Sequence, residues 1–268
     1  MSPLRALIWD VDGTLAETEA EGHRVAFNAA FAEHGLDWHW DHARYGALLA
    51  ITGGRERLLH DMGNHADAPV DTDAREALAR RLHASKNRHY AARVASPGIP
   101  LRAGVAELIA QAAARGWRQA IATTTSRDNV AALLRAHFGP DWQAHFDAVV
   151  CGEDVARKKP DPQVYRIALE QLRLAPAEAL AIEDAPPGVA AARAAGIPVI
   201  VTRSRYFADA ATPDACAVGP GLGARAGWQP AAATPDAGPI TADDLLAWHR
   251  AGHSSHPHPE TQGDPSWH

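Results

Sequence analysis

The sequence predicts an α/β protein: a doubly wound parallel sheet with an all-helical block inserted directly after its first strand. Three observations carry that expectation. From residue 104 to residue 202, short apolar runs alternate with helical spacing, the rhythm of strands joined by crossover helices. One more apolar run, residues 4–9, stands far upstream of them. Between the two, residues 17–93 show helical spacing and no convincing strand.

Taken in order, residues 4–9 read as a short buried strand that runs into Asp10-Val11-Asp12-Gly13-Thr14. Val25, Ala26, Phe27, Ala30 and Phe31 then recur at three and four, and helical patterns continue over 45–50, 55–62 and 73–92. Trp38 and Trp40 belong to the core or surface of this block. A Pro/Gly break at 96–101 ends it. Helices are expected at 104–115, 128–137, 162–172 and 187–195, and strands at 119–123, 146–151, 180–183 and 198–202. From about Gly219 the chain is rich in Gly, Pro and Ala. Residues 219–227 contain a GxGxxA match, but no strand leads in and Pro230 blocks a following helix, so they read as a flexible loop. A weak helix is expected near 242–249. His249 and His253 have helical ligand spacing, yet Gly252 and the polar tail argue against a metal there. The expected organisation is a core domain from 1–16 and 95–250, an inserted helical domain at 17–94 and a disordered tail at 251–268.

Composition narrows the function classes. The 268 residues suffice for two domains or for one carrying an insertion, with 46 % apolar and 22 % charged residues, ordinary for a soluble protein. A net charge of −6 without a basic run argues against nucleic acid and anionic membranes. There is no signal pattern and no apolar run of membrane length. The two cysteines, Cys151 and Cys216, form no CxxC, which fits a reducing compartment. A cytoplasmic monomer acting on a small molecule is expected.

In an open parallel sheet, ligands bind outside the carboxyl ends of the strands. Asp10 and Asp12, the run Thr123-Thr124-Thr125-Ser126, Lys158-Lys159-Pro160 and Glu183-Asp184 all fall at or just after such ends. Carboxylates, a lysine and hydroxyls in one pocket suit phosphoryl transfer. Clustered carboxylate oxygens favour Mg2+, and lysine and threonine orient phosphate oxygens. One aspartate can attack phosphorus while its neighbour manages the leaving-group proton. Of two such neighbours, the attacking one is held ionised by bound Mg2+, and its like charge raises the carboxyl of the other, which starts protonated.

These residues also carry a resemblance. DVDGT from Asp10, the threonine closing IAT at Thr123, KKP with Lys159, and Glu183-Asp184 resemble, in order, the four motifs of the haloacid-dehalogenase-like superfamily. The resemblance spans the chain to about Gly219. The helical insertion resembles the cap domain of the β-phosphoglucomutase-like branch, and LAETE, GHRVAFN, DWHWD, TGGRERL and ATTTS look like the CbbY-type proteins. It implies a Rossmann-like core and a Mg2+-dependent phosphatase of the Calvin cycle. Its substrate would be xylulose 1,5-bisphosphate, a misfire product and inhibitor of Rubisco, hydrolysed through an aspartyl phosphate. The same motifs leave open a β-phosphoglucomutase-like isomerase and a non-catalytic phosphometabolite binder.

By that resemblance Asp10 is nucleophile and metal ligand, and Asp12 is general acid and base with its carbonyl on the metal. Asp184 completes the metal site, with Glu183 beside it as ligand or supporting acceptor. Thr123, the N–H of Thr124 and Lys159 would hold the transferring phosphoryl group. Thr18, Glu19 and His23 would face the sugar, while Thr52, Gly53, Gly54, Arg55 and Arg57 would take a second anion. Ser126, Arg127 and Asn129 would touch the distal phosphate. One departure stands out: the last motif reads EDAPPG, so a serine usual after the acidic pair is replaced by Ala185.

Overall fold

The computed structural model describes residues 2–95, 98–233 and 237–254. Six strands form the sheet: β1 (Ala6–Trp9), β2 (Arg118–Ala122), β3 (Ala148–Val150), β4 (Ala179–Glu183), β5 (Val199–Thr202) and β6 (Ala217–Gly219). They are ordered β3-β2-β1-β4-β5-β6, every pair parallel. The expected doubly wound sheet is therefore present, with β1 at its centre. Alternation along β1 explains both faces. Leu7 and Trp9 enter one core with Ile121, Leu180 and Ile200. Ala6 and Ile8 enter the opposite one with Val164, Tyr165 and Val189. A strand buried on both sides reads as a continuous apolar run, which is why it was legible.

The crossover helices are α5 (Val105–Ala114), α6 (Arg127–Phe138), α7 (Gln163–Leu172) and α8 (Pro186–Ala194). Each buries one stripe; α5 turns Val105, Leu108, Ile109 and Ala112 inward. Between β1 and β2 lie α1 (Arg24–Glu33), α2 (His42–Leu48), α3 (Gly54–Asp61) and α4 (Thr72–Ala95), preceded by a π-turn at Glu19–His23. They enclose a cluster of their own around Phe27, Phe31, Trp38, Trp40, Tyr45 and Leu58. Tyr206 and Phe207, from the loop after β5, pack against it.

The structure departs from the sequence expectations in five places. The strand read at 146–151 shortens to β3, because Phe146 N–H closes a 3₁₀ turn onto Gln143. β6 was not foreseen. The 219–227 segment is not a free loop: Leu222 is buried, Trp228 stacks on Trp248 at 4.5 Å, and Val218 and Gln229 exchange backbone hydrogen bonds. The weak helix is a firm one, α9 (Ala242–Ser254), which drives Leu245 and Trp248 into the same core as Leu7. Residues 251–254, expected in the tail, are its last turn. Residues 255–268 of the expected tail, and 96–97 of the Pro/Gly break, lie outside the described residues. Both cysteines are free, and among the described residues no helix is long and apolar enough to cross a membrane.

Candidate active site

The four strand ends meet at one place, as neighbouring parallel strands require. Lys159 joins them: its Nζ donates to Asp10 Oδ1 at 2.7 Å, Glu183 Oε1 at 2.7 Å and the Ala122 carbonyl at 2.8 Å. Tyr165 adds a hydroxyl to the same Glu183 oxygen, and Glu183 Oε2 accepts from Asp184 N–H at 3.3 Å. Asp10, Glu183 and Asp184, all buried, each offer an oxygen within 4.8 Å of the others. Two glycines permit this crowding. Gly13 turns at φ +89°, and a Cβ there would lie 2.0 Å from Asp184 Oδ2. A Cβ on Gly188, in the first turn of α8, would lie 2.0 Å from Glu183 Cδ. Despite the missing serine after Asp184, the Ser204 hydroxyl reaches that carboxylate from the loop after β5.

Burial pushes Asp10 up to about 7; Lys159 opposes this, and the charges of Glu183 and Asp12 add to it. Asp184 is held well above the usual carboxylate range, first by burial, then by Asp10 and Glu183. Asp12 goes the other way. Burial raises it, but the His23 charge, a His23 hydrogen bond and a Thr18 hydrogen bond outweigh that and bring it to about 2. By its protein partners alone Asp12 is thus the more acidic of the two carboxyls, whereas the expected ionisation of Asp10 depends on bound Mg2+. The physical reason is that Asp12 has its own partners: His23 Nε2 lies 2.8 Å from its Oδ1, and Thr18 Oγ1 donates to the same oxygen at 2.6 Å.

A cavity of about 750 Å³ opens between the helical block and the strand ends, and a smaller one of about 60 Å³ continues past Asp10 and Asp184. Asp12, Thr124 and Lys159 line both. Glu19 and His23 face the larger cavity from the π-turn. Glu19 is anchored by the Tyr45 hydroxyl and by Arg57 Nη2 at 3.4 Å, and His23 stacks on Tyr90 at 4.3 Å. Thr52, Gly53, Gly54, Arg55 and Arg57 form the wall at the start of α3. Thr52 Oγ1 donates to the Lys159 carbonyl at 2.6 Å, tying that wall to the sheet. Ser126 caps α6 through Asn129 N–H and lines the cavity.

Four expected residues do not line it. Thr123 lies below, its Oγ1 accepting from Thr125 N–H at 3.2 Å. Thr18 is fully buried behind Asp12 instead of facing a sugar, since its hydroxyl is taken by that carboxylate. Arg127 turns outward to Asp154, its side chain half exposed. Asn129 is buried, donating to Asn87 at 3.2 Å and Thr125 at 3.3 Å.

A family model for haloacid dehalogenase-like hydrolases matches residues 4–196. The chain belongs to the haloacid dehalogenase-like hydrolases. Among this hydrolase's relatives is the plasmid protein CbbY of Cupriavidus necator, 49% identical over 225 residues, 82% of this chain and 86% of that one. A phosphorylated carbohydrates phosphatase of Thermotoga maritima is 30% identical over 195 residues, 72% of this chain and 82% of that one. The crystal structure of CbbY from Rhodobacter sphaeroides with phosphate has a TM-score of 0.74 at 42% identity, covering 79% of this chain and 92% of that one. A mutant of that protein in complex with xylulose-(1,5)bisphosphate has a TM-score of 0.73 at 42% identity, with the same coverage.

The hydrolase has further polar residues on the cavity wall that the sequence did not single out. Lys86, His83 and Asn87 project from α4, and Lys158 bridges to Glu56 at 2.7 Å across the mouth. A signal for Lys86 existed: it occupies a slot in the apolar four-residue stripe Leu82, Tyr90, Val94. It lies 5.2 Å from the Phe27 ring centre and 5.3 Å from that of Tyr90. The acidic floor suits a hard divalent cation. Its buried carboxylates are only partly balanced by Lys159, and burial first, then their mutual charge, raises Asp10 and Asp184.

Proposed function

We propose that this hydrolase is a Mg2+-dependent phosphatase that hydrolyses xylulose 1,5-bisphosphate through an aspartyl phosphate on Asp10. The observation that carries the reading is a pair of polar ends in two adjoining cavities. Asp10, Lys159 and Asp184 line the smaller one at the floor, while Gly53, Gly54, Arg55 and Lys86 line the larger one under the helical block. A substrate with two phosphates satisfies both. Support for the particular sugar comes from the bisphosphate held by the Rhodobacter sphaeroides relative. In the same reading, residues 17–94 serve as a cap domain over a core of 1–16 and 95–250.

Asp10, Asp184 and the Asp12 carbonyl would hold Mg2+, with Glu183 supporting them through Lys159 and Asp184. When bound, the ion offsets carboxylate charge and draws electron density from the phosphoryl oxygens. Asp10 attacks phosphorus. Thr124 N–H and Lys159 hold the equatorial oxygens, with Thr123 beneath them bracing the loop through Thr125 N–H. The Asp12–His23 pair, 2.8 Å apart, delivers its shared proton to the leaving alkoxide. Asp12 then accepts a proton from the water that cleaves the acyl phosphate, and both aspartates return to their starting state.

The test is inorganic phosphate release with Mg2+ from xylulose 1,5-bisphosphate, ribulose 1,5-bisphosphate, β-glucose 1-phosphate and p-nitrophenyl phosphate. Asp10→Asn is the control. A strong preference for the first compound, abolished by Asp10→Asn, is expected. Release without that preference rejects the sugar and keeps the chemistry. No release from any of them rejects hydrolysis and turns attention to an isomerase or a binder.

A further inference from the structure

Arg102 lies outside the cavity and takes no part in the steps above, yet it holds the turn that carries both aspartates. Its backbone N–H donates to the Leu15 carbonyl at 2.8 Å. Nη1 donates to the Gly13 carbonyl and, at 3.0 Å each, to the carbonyl and Oγ1 of Thr202. Nη2 donates to the carbonyls of Arg203 at 2.6 Å and Pro220 at 3.1 Å. Nε lies 3.6 Å from Glu17 Oε1, and only 12% of the side chain is exposed.

The acceptors come from separate parts of the chain. Gly13 and Leu15 belong to the turn between Asp12 and the helical block. Thr202 ends β5 and Arg203 follows it; the neighbouring β4 ends in Glu183 and leads to Asp184. One planar group therefore spans the aspartate turn and the Asp184 side of the site. The gap it spans has no slack: an added Cβ on Gly13 would sit 2.0 Å from Asp184 Oδ2 and 3.1 Å from Ser204 Cβ.

We infer that Arg102 is a positioning residue that fixes the spacing between the Asp10–Gly13 turn and Asp184, and through it the affinity of the carboxylate cluster for a divalent cation. The inference rests on the reading that Asp10 and Asp184 share a cation. Charge and geometry predict opposite signs. Arg102 acts electrostatically on Asp184, so its positive charge alone disfavours an incoming cation, and losing the charge alone would tighten binding. Losing the fork lets the carboxylates drift apart and weakens it. Lysine keeps the charge but lacks the planar set of donors.

The experiment is Mn2+ binding to the full chain without substrate, read from the electron paramagnetic resonance of free Mn2+, with thermal melting as the check on folding. Arg102→Lys is expected to weaken Mn2+ by about tenfold, the usual scale for losing an outer partner of a metal site. Arg102→Gln is expected to weaken it too, despite the lost charge. Thr202→Val, which keeps the arginine and removes one acceptor, shifts affinity the same way by a smaller factor and serves if the Arg102 variants do not fold. At saturating metal, kcat falls and KM holds.

Wild-type affinity in Arg102→Lys, tightening in Arg102→Gln, or wild-type affinity in Thr202→Val when the others do not fold, overturns the inference. A wild-type chain that binds no Mn2+ removes the cation site and the inference together. Weakened Mn2+ binding in a protein that releases no phosphate upholds the inference and rejects the hydrolysis reading.

Discussion

His23 Nε2 stands 2.8 Å from Asp12 Oδ1, and the Asp12 carboxylate is thereby held ionised at the floor of the cavity. An acid that starts ionised needs a proton source beside it, and the imidazole is the titratable group in contact. His23 Nδ1, by contrast, is buried without a hydrogen-bond partner among the described residues. The pair therefore faces the reaction with one defined contact.

His23→Asn tests this pair. In the folded chain Asp12 is depressed from 3.8 to about 2, so its contribution to stability is full above 3.8 and is lost as pH falls through about 2. The variant gives up the His23 share of that contribution and keeps the shares of Thr18 and Lys86. Its stability deficit, measured by urea unfolding at several pH values, is expected at pH 6 and to close across that acid window. On the chemical side kcat is expected to fall about a hundredfold, the lower range for a lost proton-transfer partner. A variant with unchanged kcat and an unchanged acid limb would remove His23 from the mechanism.

Lys159→Met isolates the second buried pair. Lys159 is raised because Asp10 and Glu183 outweigh the effect of burial, so its removal leaves two carboxylates without their cation. Breaking such a pair costs about 3–5 kcal/mol, most of it from the stranded charge. A divalent cation replaces part of what was lost. Tm is expected to drop sharply in EDTA, and the rise on adding Mg2+ is expected to exceed that of the wild type. Equal Mg2+ shifts in the two proteins would place the cation away from Asp10.

What the sequence disclosed follows from where the signal was local. Asp10, Asp12 and Asp184 follow short apolar strands, Glu183 ends one and Lys159 lies a loop beyond another, so pattern and topology bring them together. Thr18 and Asn129 were misjudged because their orientation depends on tertiary partners, Asp12 and Asn87, remote from the helical pattern around them. The depression of Asp12 likewise turns on His23, 11 positions away, which the pattern around Asp12 does not reveal. β6 escaped because three residues are too few for alternation to register. The firmness of α9 has a local signal at its start. Thr241 and Asp244 form the start of a capping box, with Asp244 Oδ2 accepting from Thr241 N–H at 2.9 Å.

Lys86 provides the last test, because it separates stability from function. Burial lowers its ammonium from 10.5 to about 8; Asp12 and Glu19 favour the charge, and Arg57 opposes it. The folded chain thus binds fewer protons than the unfolded chain between pH 8 and 10.5, and stability rises with pH across that window. Below pH 8 the charge costs stability, so Lys86→Met is expected to match or exceed the wild-type Tm at pH 7. Function should move the opposite way. The ammonium faces the cavity, and losing a charge-assisted contact to phosphate is worth about tenfold in KM. Since kcat/KM reports groups of the free enzyme, the wild type is expected to lose kcat/KM as pH rises through about 8, and Lys86→Met to lack that limb. A variant that keeps the wild-type KM and alkaline limb would make Lys86 a packing residue only, seated on Phe27 and Tyr90 with no contact to substrate.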